Sequence, residues 1–351
     1  MNLDSNPLVS VVMPIFNHTE KQLTTAIYSI LNQSFKNLEI IIIDGNPKNF
    51  NLKIISSIKD SRIKYFKTKG YVNCLNYGIK NAKGKYIARM DSDDIAHPDR
   101  IKEQVKFLEE NPEISCCSCL VKFFGNTKDL RFSQHKNEVN LINLTKAQEF
   151  IHSAMMFRKT ANIEFKDLKP VEDCLLFRDL LLDGQNLAII DKVLLKNYIS
   201  DKSIMAKYPD YVKVKLSEID TYALSKYYNF NLSFFDKIFS KKYFSKKEIL
   251  EFLSFIDFLE SKKAENDLDS FKICFPYFSY MTTKFKSKIF LFKNILFYKT
   301  IVIPYLKVYL KKFLKFIFSI TNSYYYSKKI KVICIFGLRT KIRVPNHNNR
   351  K

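Results

Sequence analysis

The chain has no long uninterrupted apolar run, and this absence limits how it can meet a membrane. Residues 289–320 are rich in Phe, Leu, Ile and Tyr, but six lysines interrupt them. A spanning helix needs about 20 consecutive apolar residues, so this segment is predicted not to cross a bilayer. The first residues also lack a basic stretch followed by an apolar one, so no secretory signal is expected and the protein is predicted to be cytoplasmic.

Acidic residues are absent from the basic tail, residues 271–351, which contains 18 Lys and Arg. Of the net charge of +23, the first 270 residues therefore carry only +5. A nearly neutral body joined to a basic tail indicates an anionic partner, either a membrane or a nucleic acid. On a helical projection three lysines share one side and apolar residues the other, as in a helix that lies on anionic lipid: Lys307, Lys311 and Lys315. A helix that packs on a protein core and exposes its lysines is the alternative.

Disulfide cross-links are also not expected in this chain. The seven cysteines are odd in number and irregularly spaced, which fits reduced thiols better than a disulfide framework. Cys116 and Cys119 form a C-x-x-C pair inside an apolar stretch, and no second pair follows. Packed thiols in a buried strand are therefore expected, and a structural zinc site or a redox role is the alternative.

Apolar runs alternate with helical spacing in the first half of the chain. Strands are predicted at 9–13, 38–43, 63–66 and 86–90, with helices at 20–31, 52–58 and 72–81. Runs that are apolar on both faces are typical of buried parallel strands. The pattern predicts a doubly wound α/β fold, continued by a helix from Pro98 and by the strand that holds the cysteines.

Three aspartates, Asp91, Asp93 and Asp94, follow the strand predicted at 86–90. An open α/β sheet binds its ligands beyond the carboxyl ends of its strands, so this cluster is placed to hold a divalent metal that serves a substrate phosphate. The alternative is that residues 92–94 only cap the helix that starts near Pro98.

These residues belong to a set of blocks that resemble the family 2 inverting glycosyltransferases of the bacterial surface-glycan type. The blocks are VSVVMPIFN at 9–17, SILNQS at 29–34, EIIIID at 39–44, GKYIARMDSDD at 84–94, HSAMMFRK at 152–159 and VEDCLLFR at 171–178. The resemblance covers about residues 7–203. It implies a GT-A (Rossmann-like, mostly parallel) domain at 1–203, with a nucleotide-sugar half at about 1–110 and an acceptor half at about 111–203. A helical region at 204–288 and a basic, amphipathic, membrane-associating tail at 289–351 are predicted to follow, with a terminal hairpin near Gly337.

For the donor, the resemblance implies a nucleotide-diphosphate sugar held with Mn²⁺ or Mg²⁺. Asp93 would ligate the metal, Asp91 would contact the metal and the ribose or sugar, and Asp94 would orient them or cap the next turn. Asp44 would bind the nucleoside, with an Asx-turn as the alternative. Gly45 departs from the family pattern, which has a second Asp there. Further donor-side candidates are Pro14, Asn17 and Arg89.

For the acceptor, the resemblance implies that Asp173 is the general base and that Glu172 supports it. An acidic pair is also what a helix N-terminus favours, and the two interpretations are compatible. His152 and Arg100 are placed on the acceptor side, while an ordinary buried histidine and an ordinary ion pair are the alternatives. The chain contains no Trp, so it lacks the later Q-x-x-R-W block of processive members, and transfer of a single sugar is predicted.

The sequence thus predicts an inverting, non-processive hexosyltransferase at the inner face of the cytoplasmic membrane. Its acceptor would be a lipid-linked or surface-glycan precursor, as for lipopolysaccharide, lipooligosaccharide or capsule. One alternative is a nucleic-acid-binding protein that uses the tail, which the helical spacing of the tail's apolar residues disfavours. The other is a sugar-nucleotide-binding protein without catalysis, which Gly45 allows.

Overall fold

The computed structural model describes residues 7–16, 18–46, 49–125, 139–141, 144, 150–159, 163–168, 170–201, 204–230, 246–261, 331–335 and 338–342. The predicted amphipathic helix within 289–320 lies outside these residues. Two compact units are present, residues 1–239 with 253–277, and residues 240–252 with 278–351. None of the helices in the described ranges is both long and apolar enough to span a membrane.

The first unit is built on an eight-stranded sheet in the order β3-β2-β1-β4-β7-β6-β8-β5. The strands are β1 Val9–Ile15, β2 Leu38–Asp44, β3 Ile63–Lys67, β4 Tyr86–Arg89, β5 Ile95–Ala96, β6 Ile114–Gly125, β7 Met156–Arg158 and β8 Asn186–Ile199. The pairs β1–β2, β1–β4, β2–β3 and β6–β8 are parallel, whereas β7 and β5 pair antiparallel with their neighbours. The predicted α/β, mostly parallel architecture is confirmed.

Between strands of the sheet lie the helices α1 Glu20–Leu31, α2 Asn49–Ser57, α3 Tyr71–Asn81, α4 Arg100–Glu110 and α5 Glu172–Leu182, with a 3₁₀ turn at His152–Ala154. After β8 come the helices α6 Ile204–Lys207, α7 Pro209–Tyr227 and α8 Lys246–Ser261. Alternate side chains of β1 point to the two faces of the sheet. Val11 joins the core that includes α1 and α4, and Val12 joins the core that includes α3 and α5. Both faces of β1 are therefore buried, which is why its sequence is apolar except for Ser10.

In the second unit, β9 (Lys331–Ile335) and β10 (Leu338–Ile342) pair antiparallel, with Ile335 opposite Leu338. The two strands lie in the segment where the sequence predicts a terminal hairpin. In the first unit, α7 packs on α5, so the segment after residue 203 begins as part of the same body as the sheet.

Candidate active site

The carboxyl ends of β1, β2 and β4 meet at one edge of the sheet, and the loop 90–94 lies there. The backbone N–H of Met90 donates to the carbonyl oxygen of Val12 at 3.1 Å. Ser92 is buried, its Oγ donates to the carbonyl oxygen of Pro14 at 3.0 Å, and it lies 2.7 Å from Nε2 of His18. These bonds fix the loop to the end of β1, so the neighbouring aspartates have defined positions.

Asp91 is held by a buried arginine. Its Oδ1 lies 2.5 Å from Nη1 of Arg89, whose side chain is only 2% exposed and whose Nη2 donates to the hydroxyl of Tyr71. Burial acts to raise the pKa of Asp91, but the charge and hydrogen bond of Arg89, together with the charges of His152 and His18, hold this pKa below its usual value. Asp91 therefore remains a carboxylate in a site that is largely shielded from water.

His152 lies between two carboxylates that come from distant parts of the chain. Its Nε2 is 4.0 Å from Oδ2 of Asp91 and 3.8 Å from Oδ2 of Asp173. The antiparallel link between β4 and β7 brings it there, because the N–H of Arg89 donates to the carbonyl oxygen of Met155 at 2.9 Å. Burial and the charge of Arg89 lower the pKa of His152, while Asp173 and Asp91 act to raise it.

Asp173 lies in the first turn of α5, directly after Glu172. Its Oδ1 accepts a bond from the backbone N–H of Cys174 at 2.8 Å, which orients the carboxylate. Glu172 is buried, and both residues lie near Tyr71, whose pKa is raised by burial and by these negative charges. The predicted base and the predicted donor-side aspartate are thus brought within reach of one imidazole.

Asp93 and Asp94 have different surroundings although they are adjacent. Burial and the charge of Asp91 raise the pKa of Asp93 to about 7. The carboxylate of Asp94 accepts bonds from Nδ2 of Asn197 and from the backbone N–H of Tyr198, at 3.0 and 2.8 Å. Asp94 therefore ties the loop to β8, which separates it from the ligand-facing side of the cluster.

The carboxylates of Asp91 and Asp93 fit a divalent cation. Burial and the charge of Asp91 raise the pKa of Asp93, and a cation between the two carboxylates would relieve their repulsion. Within the described ranges, no group of three or more His, Cys, Asp or Glu side chains forms a complete metal cage. Mg²⁺ is commonly bound through one or two carboxylates together with substrate phosphates, so a complete protein cage is not required.

Asp44 lies at the end of β2 and is fully buried. Its oxygens accept bonds from the hydroxyl of Tyr65 at 2.8 Å, from Nδ2 of Asn51 at 3.2 Å and from the backbone N–H of Asn46 at 3.1 Å. The bond from Asn46 closes an Asx-turn, which was the alternative to nucleoside binding. Protein donors thus occupy both oxygens, so the structure places Asp44 as an anchor of this loop.

Gly45 is explained by the aromatic ring next to it. A Cβ at this position would lie 2.3 Å from Cζ of Phe16 and 2.8 Å from Sγ of Cys74. The Phe16 ring also packs against that of Tyr71, with centroids 5.7 Å apart. The family's second Asp would therefore collide with this aromatic pair, which accounts for the departure from the pattern.

Two sequence-based placements differ from the structure. Arg100 is not on the acceptor side, because its guanidinium is fully buried and donates to the carbonyl oxygen of Arg89 at 2.7 Å. The capping alternative for residues 92–94 is also wrong, since β5 intervenes and Asp99 occupies the N-cap of α4.

Pro14 contributes its carbonyl oxygen to the loop, as described above, and Asn17 lies outside the described residues. The strand cysteines are buried free thiols.

Sequence reasoning missed Tyr71, His18 and Asn197. Tyr71 opens the helix that follows β3, so its position at the same edge of the sheet could have been inferred from strand order. His18 and Asn197 had no comparable signal. Their roles depend on contacts with Ser92 and Asp94, which are 74 and 103 positions away in the chain.

Comparisons with known proteins indicate the family of the chain. The sequence profile described as Glycosyl transferase family 2 matches residues 10–169. An uncharacterized glycosyltransferase of Haemophilus influenzae is 33% identical over 189 residues, which cover 50% of this chain and 72% of the relative. The bifunctional glycosyltransferase pgtA of Dictyostelium discoideum is 27% identical over 334 residues, 78% of this chain and 43% of the relative. The chain spans less than half the length of several curated relatives that it matches.

Among solved structures, residues 1–349 of S. aureus TarS in complex with UDP-GlcNAc align with a TM-score of 0.51 and 18% identity, over 78% of this chain and 91% of that one. This likeness confirms the expected GT-A fold. The family profile spans β1 to β7 and includes the aspartate loop, and the match to the H. influenzae relative covers most of that protein's length. Together these two matches show that the chain belongs to the family 2 glycosyltransferases.

Proposed function

We propose that this protein transfers one sugar, with inversion, from a nucleotide-diphosphate sugar to a hydroxyl group of a lipid-linked or surface-glycan precursor. The observation that carries the proposal is the convergence of Asp91, His152 and Asp173 at the carboxyl edge of the sheet. Inversion requires one carboxylate that removes the proton of the attacking hydroxyl, and a second group that holds the donor on the opposite side. Asp173 takes the first role, with Glu172 beside it.

On the donor side, Asp91 and Asp93 would hold Mn²⁺ or Mg²⁺. A bound divalent ion stabilises the negative charge that develops on the phosphate oxygens when a nucleoside diphosphate departs. Arg89 keeps Asp91 ionised and oriented, and the carbonyl oxygen of Pro14 holds the loop through Ser92. Asn17, which follows β1 in the sequence, stays a predicted donor-side residue. TarS shares the fold and is seen with UDP and UDP-GlcNAc, so UDP sugars are the first donors to test.

On the acceptor side, Nε2 of His152 lies 3.8 Å from Oδ2 of Asp173, and the imidazole would contact the acceptor hydroxyl. The basic tail supports work at an anionic membrane surface, with the protein bound peripherally at the cytoplasmic face. Each basic group near such a surface contributes about 1 kcal/mol to binding. A hydrophobic carrier on the acceptor would explain why a soluble α/β enzyme is joined to a tail of this composition.

The proposal is tested by release of nucleoside diphosphate from a panel of nucleotide sugars, with and without Mn²⁺. Asp93→Ala should lose both metal-stimulated turnover and donor binding. Asp173→Asn should bind UDP normally in calorimetry but transfer sugar about 10²–10⁴-fold more slowly, because a general base contributes that factor. Asp179→Asn is the matched control, since Asp179 lies on the same helix and pairs with the exposed Lys166.

Two outcomes would reject this function. Absence of nucleotide binding with any divalent metal would remove the donor site, and full transfer by Asp173→Asn would remove the base. A protein that binds UDP sugars tightly but neither transfers nor hydrolyses them would be the non-catalytic alternative.

A further inference from the structure

The transfer reaction proposed for this protein gives no role to Tyr71, although this residue contacts the arginine that pairs with Asp91. The Tyr71 hydroxyl accepts a hydrogen bond from Nη2 of Arg89. Cζ of Arg89 also lies 5.8 Å from the centre of the Tyr71 ring, within the range of a cation–π interaction. The tyrosine therefore holds this guanidinium with both its hydroxyl and its ring.

Tyr71 has a fixed position at the edge of the sheet. It is the first residue of α3, and this helix lies directly on β1, because a Cβ at Gly78 would be only 2.4 Å from Cγ1 of Val12. The Tyr71 ring packs against the ring of Phe16, with centroids 5.7 Å apart. A side chain on a rigid element with packed neighbours defines the position of its partner. The hydroxyl is therefore a fixed acceptor for Arg89.

The bond to Tyr71 determines how Arg89 meets Asp91. Arginine commonly binds a carboxylate with two nitrogens, one for each oxygen. Here Nη2 donates to Tyr71, and Nη1 lies 2.5 Å from Oδ1 of Asp91. Among the residues that the structure describes, Nε and Nη1 of Arg89 have no partner with hydrogen-bond geometry. The bond to the tyrosine is therefore the directional one, and the contact with Asp91 is mainly a Coulomb attraction.

The second oxygen of Asp91 lies towards the acceptor side of the site. This atom, Oδ2, is 4.0 Å from Nε2 of His152. A carboxylate whose two oxygens both accept from one guanidinium has fewer lone pairs left for a metal ion, and the positive charge repels that ion. Without its bond to Tyr71, Nη2 would have the neighbouring carboxylate as its alternative acceptor.

We propose that Tyr71 is a positioning residue that binds Nη2 of Arg89 and so leaves Oδ2 of Asp91 available to Mn²⁺ or Mg²⁺. Tyr71 acts on the metal through these two side chains and does not ligate it. The inference rests on the proposed function, in which the metal serves a nucleotide-diphosphate donor.

The test measures the Mn²⁺ concentration that gives half-maximal binding of UDP to the full chain in calorimetry. Tyr71→Phe keeps the ring but removes the hydroxyl. It should raise this concentration about ten-fold, since a hydrogen bond to a charged group contributes at least that factor. At saturating Mn²⁺ and donor, kcat for transfer should change by less than about three-fold, because the general base is unaltered.

Tyr86→Phe is the matched control, because Tyr86 also contacts an arginine but lies at the other end of β4. Its hydroxyl accepts from Nη1 of Arg158 at 3.1 Å and donates to Oε1 of Glu109 at 2.8 Å. The control removes the same group from a similar contact, and it should leave the Mn²⁺ dependence of UDP binding unchanged.

Arg89→Lys provides a second test, because one ammonium group cannot bind a carboxylate with the two-nitrogen fork of arginine. In that background, adding Tyr71→Phe should shift the half-saturating Mn²⁺ concentration by less than about two-fold. Three results would overturn the proposal: an equal shift in both backgrounds, an equal shift in Tyr86→Phe, or an unchanged or lower Mn²⁺ requirement of Tyr71→Phe.

The unaltered protein separates this inference from the proposed function. If its binding of UDP did not depend on a divalent metal, both would be rejected. If its binding were metal-dependent and Tyr71→Phe had the same Mn²⁺ requirement, only the role of Tyr71 would be rejected.

Discussion

At the residue scale, three aspartates in four positions serve different partners. Asp91 faces Arg89 and His152, whereas Asp94 faces Asn197 and β8. Asp93, between them, has its pKa raised to about 7 by burial and by the charge of Asp91. One short loop thus contains a carboxylate held by an arginine, a carboxylate suited to a cation and a carboxylate that anchors the loop. Because the three aspartates are adjacent in the sequence, the sequence does not show that they have different partners.

Gly45 gives a prediction at the same scale. Gly45→Asp restores the family's usual residue, but its Cβ would overlap Phe16. We expect a loss of about 1–3 kcal/mol in the free energy of unfolding by urea, the range typical of overpacking. The double variant Gly45→Asp/Phe16→Ala removes the overlap and should show a smaller loss than the two single changes added together.

Asn46→Asp is the control, because it adds the same charge one position later. If Gly45→Asp were as stable as the unaltered protein, the contact with Phe16 would not be the reason for glycine at this position.

At the scale of elements, the catalytic proposal depends on where α5 begins. Its first turn contains Glu172 and Asp173, and its second turn is fixed to α7 by a buried ion pair. Nε of Arg178 donates to Oδ1 of Asp220 at 2.6 Å, and Nη1 donates to the carbonyl oxygen of Cys174 at 2.9 Å. The arginine therefore joins the first turn of α5 to α7, and the position of Asp173 depends on this contact.

We expect Arg178→Met to lower the free energy of unfolding by about 3–5 kcal/mol, because it leaves the carboxylate of Asp220 buried without its partner. Arg178→Met/Asp220→Leu should recover much of this loss, since both charges are then removed. Urea denaturation measures the stabilities, and kcat for transfer reports the position of Asp173.

The exposed pair Lys166–Asp179 provides the comparison. Lys166→Met should change stability by only about 0–1 kcal/mol, as exposed ion pairs contribute little. Equal effects of the two single changes would show that the Arg178–Asp220 pair is not specially important for this helix.

At the scale of the whole molecule, charge is divided unequally along the chain. The last 81 residues carry +18 of the total of +23. Charge of one sign concentrated in one segment favours association with an anionic surface and makes that association depend on salt. The membrane partner proposed for this protein rests on this asymmetry.

The full-length variant Lys307→Gln/Lys311→Gln/Lys315→Gln tests that partner. Each lysine should contribute about 1 kcal/mol, so partitioning onto anionic vesicles should fall by about two orders of magnitude. Sedimentation with phosphatidylserine vesicles measures it, and neutral vesicles should retain little of either protein.

Lys64→Gln/Lys102→Gln/Lys106→Gln removes three exposed lysines from the α/β body and should have a much smaller effect. An equal fall in both triple variants would mean that net charge, and not the tail, determines membrane binding.

The α/β alternation could be predicted from the sequence, because strands such as β1 and β2 are buried on both faces and are therefore mostly apolar. It also placed the aspartates at the end of β4, since strand order and ligand edge are linked in such sheets. Tertiary structure alone decided that His152 lies between Asp91 and Asp173, that Arg100 turns into the core, and that Asp94 binds β8. These outcomes depend on contacts between side chains tens of residues apart, and local periodicity contains no information about which distant partner a polar side chain will meet.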